Sequence, residues 1–231
     1  MNKRKYIIGG IYLKMNKNVL AIGAHPDDIE FGCAGTLFRH RQNGDDVTMV
    51  VMSKGDVRDS FSGKVLRSKD ESITETTCSA DVLDCDLVHL DFEDTKIPFS
   101  VESISSLERI IKSKKIDIIY THWGGDTHQD HINTLKTTLS SARMVKNVLC
   151  YEQIPIPRVS INYPVANYYV DVSEFMDKKI ESCLCHESQL KKYKDGGFDM
   201  IDGLKVLARY RGNQIGVKYA EAFDLLKMVS D

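Results

Sequence analysis

Ala21-Ile22-Gly23-Ala24-His25-Pro26-Asp27-Asp28-Ile29-Glu30 decides the fold of this chain. The apolar run Val19 to Gly23 leads into a polar knot of one histidine and two adjacent aspartates. Gly32, Ala34 and Gly35 then open into Thr36-Leu37-Phe38-Arg39. In that order the residues read as a buried strand, a turn and a helix. Ligands of open α/β sheets bind just past the carboxyl ends of the strands, so His25, Asp27 and Asp28 are expected at the mouth of a site.

Working outward, the pattern predicts a crossover helix over 36–43 and a second strand over 47–51. A mobile loop follows over 53–64, then a helix over 65–83 and a third strand over 86–90. Ile104, Leu107, Ile110 and Ile111 have helical spacing within 101–113. Ile116 to Tyr120 is the fourth strand; it runs into a second polar knot, Thr121-His122-Trp123-Gly124-Gly125-Asp126-Thr127-His128-Gln129-Asp130-His131, with a helix expected over 135–145. Strands alternating with helices in this way specify a parallel sheet with right-handed crossovers. Both knots then fall at carboxyl ends of strands and can meet across one crevice. The last third departs from the alternation. Strands are expected over 148–153 and 168–172 around a Pro-rich loop. A helix capped by Ser173 is expected to run to about Tyr193, and a second over about 200–211 to end at Gly212.

A chain of 231 residues, 42% hydrophobic and 28% charged, fits one soluble globular domain rather than a disordered segment. A formal net charge of −2 gives no reason to expect nucleic acid or an anionic membrane surface. No apolar run approaches the ~20 residues that span a bilayer. Residues 1–14 lack a signal-peptide pattern, and a second Met-Asn-Lys begins at Met15. They are expected to be a flexible extension, with residues 15–231 the single domain. The six cysteines (Cys33, Cys78, Cys85, Cys150, Cys183 and Cys185) are expected as free thiols of a cytoplasmic protein.

Two imidazoles and one carboxylate form a common set for a catalytic divalent metal. His25 and Asp28, three apart on a turn, can face one ion, and His131 can close the set from across the crevice. A dinucleotide is the rival ligand of a first strand-turn-helix. The spaced glycines of that fingerprint are absent, and the carboxylates of Asp27 and Asp28 would repel a pyrophosphate.

Here the motifs carry a resemblance. Ala24-His25-Pro26-Asp27-Asp28-Ile29-Glu30, with Gly32 and Gly35-Thr36 after it, resembles the opening motif of the LmbE/PIG-L family of zinc-dependent N-deacetylases. His128-Gln129-Asp130-His131 is similar to the family's second motif, usually His-Pro-Asp-His. Arg67-Ser68-Lys69-Asp70 resembles an Arg-x-x-Glu helix start, His186-Glu187-Ser188-Gln189 a His-x-Ser-Gln motif, and Arg211-Gly212 with Tyr219-Ala220-Glu221-Ala222-Phe223 the C-terminal pattern. The likeness covers residues 18 to about 224; Gln129 and Asp70 depart from it.

The resemblance implies a Rossmann-like three-layer α/β/α fold with a mostly parallel sheet and a smaller C-terminal β/α extension. It implies His25, Asp28 and His131 as ligands of Zn2+, although iron(II) or another divalent ion suits the same set. Asp27 would be the general base. His128 as an imidazolium would hold the oxyanion, with Asp130 orienting it. Arg67, Asp126 and His186 would bind substrate. The implied reaction removes the N-acetyl group of an N-acetylglucosamine-type conjugate, leaving acetate and a free amino sugar. A zinc amidase acting on another N-acyl amine, such as a thiol conjugate, and a sugar-binding protein without catalysis are the alternatives. The aromatic, Pro-rich segment 153–167 is compatible with a homo-oligomer. Trp123 is expected to floor a sugar pocket or to pack, whereas His40, His89 and His122 are read as structural.

Overall fold

The computed structural model describes residues 16–58, 63–153 and 165–229, and the backbone of 6–8 and 11–13. In the stretch expected to be a flexible extension, β1 (Tyr6–Ile8) and β2 (Ile11–Leu13) pair antiparallel with each other in a sheet of their own. The apolar residues of this stretch sit in two short runs on either side of Gly9-Gly10, a pattern compatible with paired strands.

The main sheet begins with β3 (Asn18–Gly23), followed by α1 (Asp28–Gln42) and β4 (Asp46–Ser53). β3 lies between β4 and a later strand with parallel pairing on both sides. It is therefore buried on both faces: Val19 and Ala21 join one core cluster, Leu20 and Ile22 the other. Such a strand reads as a continuous apolar run, which is why it was visible in the sequence. α1 begins eight residues before the helix expected from 36. Asp28 and Glu30 fill its first turn, where the helix dipole favours carboxylates.

The loop expected over 53–64 contributes β5 (Val57–Arg58), which pairs antiparallel with β6 (Val65–Arg67). The helix expected from Val65 thus starts later, as α2 (Lys69–Leu83). Its start is set by a capping box in which Ser68 accepts from the Glu71 N–H and Glu71 reaches back to the Ser68 N–H. β7 (Asp86–Phe92), α3 (Val101–Ser113), β8 (Ile118–His122), α4 (Gln129–Ser141) and β9 (Asn147–Tyr151) complete the alternating part. β10 (Tyr168–Asp171), α5 (Met176–Leu184), α6 (Glu187–Asp195), α7 (Met200–Ile215) and β11 (Ala220–Met228) follow. The single helix expected from Ser173 to Tyr193 is broken between Leu184 and Glu187, and α7 runs past Gly212 to a left-handed cap at Gly216.

The seven strands lie in the order β10-β11-β9-β8-β3-β4-β7. β9, β8, β3, β4 and β7 are mutually parallel, and β11 runs antiparallel between β9 and β10. From β3 the chain builds outward through β4 and β7, then returns to lay β8 on the other side of β3. That reversal opens a crevice at the carboxyl ends of β3 and β8, where both polar knots begin.

Two features tie α1 to the sheet. Gly32 lies so close to the ring of Tyr151 that a Cβ at this position would strike it. Glu221 of β11 is buried. It accepts from the Gly35 N–H at 2.9 Å, the Thr36 N–H at 2.7 Å and the Thr36 hydroxyl at 2.5 Å, and it pairs with the buried Lys179 ammonium at 2.5 Å.

The expectation of six free thiols is corrected. Cys78, on the exposed side of α2, is disulfide-bonded to Cys185 at the end of α5, while Cys33, Cys85, Cys150 and Cys183 are free. The partners are 107 residues apart, so nothing local in the sequence announces the bond. It removes the support that free thiols gave to a reducing compartment. Among the described residues no helix is long and apolar enough to cross a membrane.

Candidate active site

The turn after β3 places His25, Asp27 and Asp28 at the crevice. Asp27 occupies the N-cap position of α1 with φ 106, in the left-handed region that few non-glycine residues adopt, and its side chain makes no cap hydrogen bond. Such strain is found where a site needs a particular orientation. The Asp27 carboxyl is pushed up to about 6, first by burial and then by Asp28 beside it, against His186, Arg67 and His25.

The knot after β8 supplies the other side. His25 Nε2 lies 2.9 Å from Asp130 Oδ2, so Asp130 accepts the proton on that nitrogen, and Nδ1 faces Asp28 Oδ2 at 3.5 Å. His131 Nδ1 lies 2.6 Å from Asp126 Oδ2, which leaves Nε2 facing Asp28 Oδ1 at 3.5 Å. His122 Nε2 accepts the Ala24 N–H at 2.9 Å, yet stands only 3.1 Å from Asp28 Oδ2. Burial and the neighbouring His131 hold His122 down at about 4, hence neutral. Ring nitrogens of three histidines thus crowd around Asp28, with the other nitrogens of His25 and His131 bonded to Asp130 and Asp126.

Burial opposes charge on His25. The hydrogen bonds to Asp130 and Asp28 outweigh it and push the imidazole up to about 10, so the surroundings of His25 favour positive charge. The donor set and its electrostatics fit a divalent cation. Ligand atoms lie within 4.8 Å of one another in three overlapping groups: His25, His128 and His131; Asp28, His122 and His131; and His25, Asp94 and Asp130. His131 is common to the first two, of which one holds His25 and the other Asp28; none of the three holds His25, Asp28 and His131 together. The lone pair of His122 is already taken by Ala24.

Several residues take places other than those expected. Asp130 turns to His25 rather than to His128, because the Thr95 and Ile97 N–H groups hold its carboxylate at 2.7 and 3.1 Å. Asp126, expected at sugar hydroxyls, is bonded to the His131 ring and to the His128 N–H. These are carboxylate–histidine pairs of the kind that orient metal ligands. His128 caps α4, its Nδ1 accepting the Asp130 N–H at 3.2 Å. Burial and the charge of His25 hold it at about 4, so it presents a neutral Nε2–H donor and not the imidazolium expected.

Arg67 is 2% exposed; its Nε donates to the Gly55 carbonyl at 2.7 Å, and one terminal nitrogen stands 3.6 Å from Glu75 without a hydrogen bond. Gly55 is itself required where it stands. It has φ +73, and a Cβ there would collide with Ser72 Oγ and Pro26. His186 is fully buried, with Nε2 3.0 Å from Glu30 Oε1. Both residues are buried, and both lower the Asp27 carboxyl through their charge. Trp123 lines a separate cavity of about 550 Å³ with Leu135, Leu139 and Leu226.

His122, Asp94 and Gln153 were missed as site residues. His122 lay inside the second knot but was read as structural. Asp94 lies in the acidic loop after β7 and stands 3.6 Å from His25 Nε2. Gln153, just past β9, donates from Nε2 to Asp28 Oδ1 at 2.8 Å; a lone glutamine carries no sequence signal. Because this hydrogen bond orients a ligand oxygen, Gln153→Ala is expected to weaken divalent-metal binding about 10–100-fold, measured by competition with a chromophoric chelator. Unchanged affinity would show that Asp28 is oriented without it.

Known proteins resemble this chain in sequence and in fold. The family model described as PIG-L, GlcNAc-PI de-N-acetylase, matches residues 20–142. The uncharacterized deacetylase YaiS of Escherichia coli K12 is 36% identical over 143 residues, 59% of this chain and 74% of that protein. The diacetylchitobiose deacetylase of Thermococcus kodakarensis is 27% identical over 222 residues, 89% of this chain and 81% of its own. Among solved structures, the N,N'-diacetylchitobiose deacetylase of Pyrococcus horikoshii, in complex with an inhibitor, superposes with a TM-score of 0.74 at 24% identity, covering 91% of this chain and 84% of that one. GalB, the 4-carboxy-2-hydroxymuconate hydratase of Pseudomonas putida KT2440, reaches 0.77 at 18% identity over 93% and 98%. Likeness at that level carries the fold and not the reaction.

Proposed function

The chain belongs to the PIG-L family of deacetylases, and from that premise we propose that the His25–Asp28–His131 cluster is the metal centre of an N-deacetylase acting on an N-acetylated sugar-type conjugate. The observation that carries this reading is the convergence of His25 Nδ1 and His131 Nε2 on the Asp28 carboxylate, each imidazole fixed from behind by its own aspartate.

Zinc is the ion proposed, with iron(II) suited to the same donors; bound there, it would polarise the acetyl carbonyl and acidify a water molecule. Asp27, next to the cluster and raised toward neutrality, takes the proton of the attacking water as general base. The water oxygen bonds to the acetyl carbon. His128 Nε2–H donates to the carbonyl oxygen as negative charge develops on it, a task a neutral imidazole performs without first losing its proton. As the C–N bond breaks, protonated Asp27 returns its proton to the departing nitrogen. The products are acetate and a free amine. Asp94, facing the crevice beside His25, is suited to accept hydrogen bonds from substrate hydroxyls.

The test is free-amine release by metal-loaded protein from a panel: N-acetylglucosamine, chitin oligomers, a sugar nucleotide, an inositol conjugate, and N-acyl amines without a sugar. Release from one or more of the acetamido sugars is expected. Release from the sugar-free amides alone would overturn the substrate class, and release from none would overturn the catalytic reading.

A further inference from the structure

The first turn of α4 is tied to the loop after β7, and the ties start at Gln129. Its side-chain amide donates to the Thr95 carbonyl. Its neighbour Asp130 accepts the Thr95 N–H and the Ile97 N–H, and Asn133 donates to the Ile97 carbonyl at 3.0 Å. Thr95 has φ 64. A β-branched residue stays in that region only where its surroundings hold it. The loop so held carries Asp94, whose Oδ1 stands 3.6 Å from His25 Nε2 with the side chain 16% exposed.

We propose that Gln129 is a positioning residue that latches the 94–97 loop onto α4, so that the Asp94 carboxylate meets a hydroxyl of the substrate. The substrate half of this statement rests on the sugar-type reading above; the latch itself does not. Asp130 grips only N–H groups of the loop and shares one oxygen with His25. Asn133 ties the Ile97 carbonyl and Gln129 the Thr95 carbonyl, and with Gln129 both backbone polar groups of Thr95 are held.

Position 129 allows the latch to be removed without disturbing the helix. It is the first residue of α4, where a missing N–H leaves no intrahelical bond unmade. His128 before it has φ −76 and ψ 117, the extended conformation that a following proline requires. Gln129→Pro therefore deletes the side-chain donor and keeps the backbone. Gln129→Glu is a second variant that keeps length and shape but turns the donor into an acceptor facing the Thr95 carbonyl.

The experiment is hydrogen exchange at the Thr95 and Ile97 amides of both variants, with zinc affinity, KM and kcat for an acetamido sugar measured on the same samples. Exchange at those two amides is expected to quicken about fivefold to tenfold, the effect of losing one hydrogen bond, with exchange in β8 unchanged. KM is expected to rise by a similar factor, with kcat kept within about twofold and zinc affinity unchanged. Unchanged exchange in Gln129→Pro would overturn the latch. Faster exchange with unchanged KM would overturn the role of Asp94. A matched fall in zinc affinity and kcat would place Gln129 behind His25 instead. If the wild type turns over no acetamido sugar, the functional reading fails, and exchange alone still decides the latch.

Discussion

Asp27→Asn is expected to lower kcat for deacetylation by about 10²–10⁴-fold while leaving the metal content of the protein unchanged. The expectation follows from how little else the carboxylate does. Asp27 stands at the start of α1 in the left-handed region, with no cap hydrogen bond to the helix it precedes. Burial and Asp28 raise its pKa to about 6, which lets it take a proton near neutral pH and give it up again. Asparagine has the same shape and tolerates positive φ better than most residues, so the substitution removes a proton acceptor and little else. Measuring kcat and bound metal on the same preparation separates this role from metal binding. A variant within a few-fold of wild type would mean that the base is another group; loss of metal together with activity would make Asp27 part of the ion's own coordination.

The second large effect is on stability. Glu221→Ala is expected to cost about 3–5 kcal/mol, because it strands the Lys179 ammonium without its carboxylate. The Lys179 and Glu221 side chains are 2% and 4% exposed. With Glu221 gone, the Phe31 carbonyl, 2.9 Å away, is the one acceptor left to Lys179 among the described residues. The Gly35 and Thr36 donors of α1 lose a partner as well. For a chain of this length the midpoint of thermal unfolding should fall by roughly 6–20 °C. The double variant Lys179→Met with Glu221→Leu removes both charges and is expected to recover much of the loss, since a buried pair costs more to break than to replace. A double variant no more stable than Glu221→Ala would show that the pair itself, not the uncompensated charge, holds α1 against β11 and α5.

The parallel half of the fold was legible where its strands are buried on both faces. Val19 to Gly23 is an unbroken apolar run, Val47 to Val51 is interrupted only by Thr48, and each is followed by turn residues. β11 was not foreseen, because a buried glutamate sits near its start and blurs the alternation that marks a half-buried strand. The start of α2 was misplaced, although Ser68 and Glu71 carried the capping signal, because the apolar residues of β6 run directly into the helix.

In the site, the knots themselves were legible: histidine and aspartate gathered at two strand ends have little other reason to be there. Which carboxylate serves which imidazole was not. His128 and Asp130 are neighbours in sequence, yet their partners are set by the first turn of α4, which sends Asp130 to the Thr95 and Ile97 amides and to His25. Arg67 and His186 were placed at the substrate from motif likeness alone. Their burial against Gly55, Glu75 and Glu30 depends on long-range packing that spacing does not encode.

The most direct test of the central claim is acetate release from an N-acetylated chitin oligomer by metal-stripped protein titrated with zinc, for wild type and His131→Ala side by side. Wild-type release is expected to rise from background to a plateau near one ion per chain, and His131→Ala to stay near background at the same zinc concentrations. Full release by the metal-stripped protein, or a His131→Ala titration that matches wild type, would contradict a metal-dependent deacetylase centred on His25, Asp28 and His131.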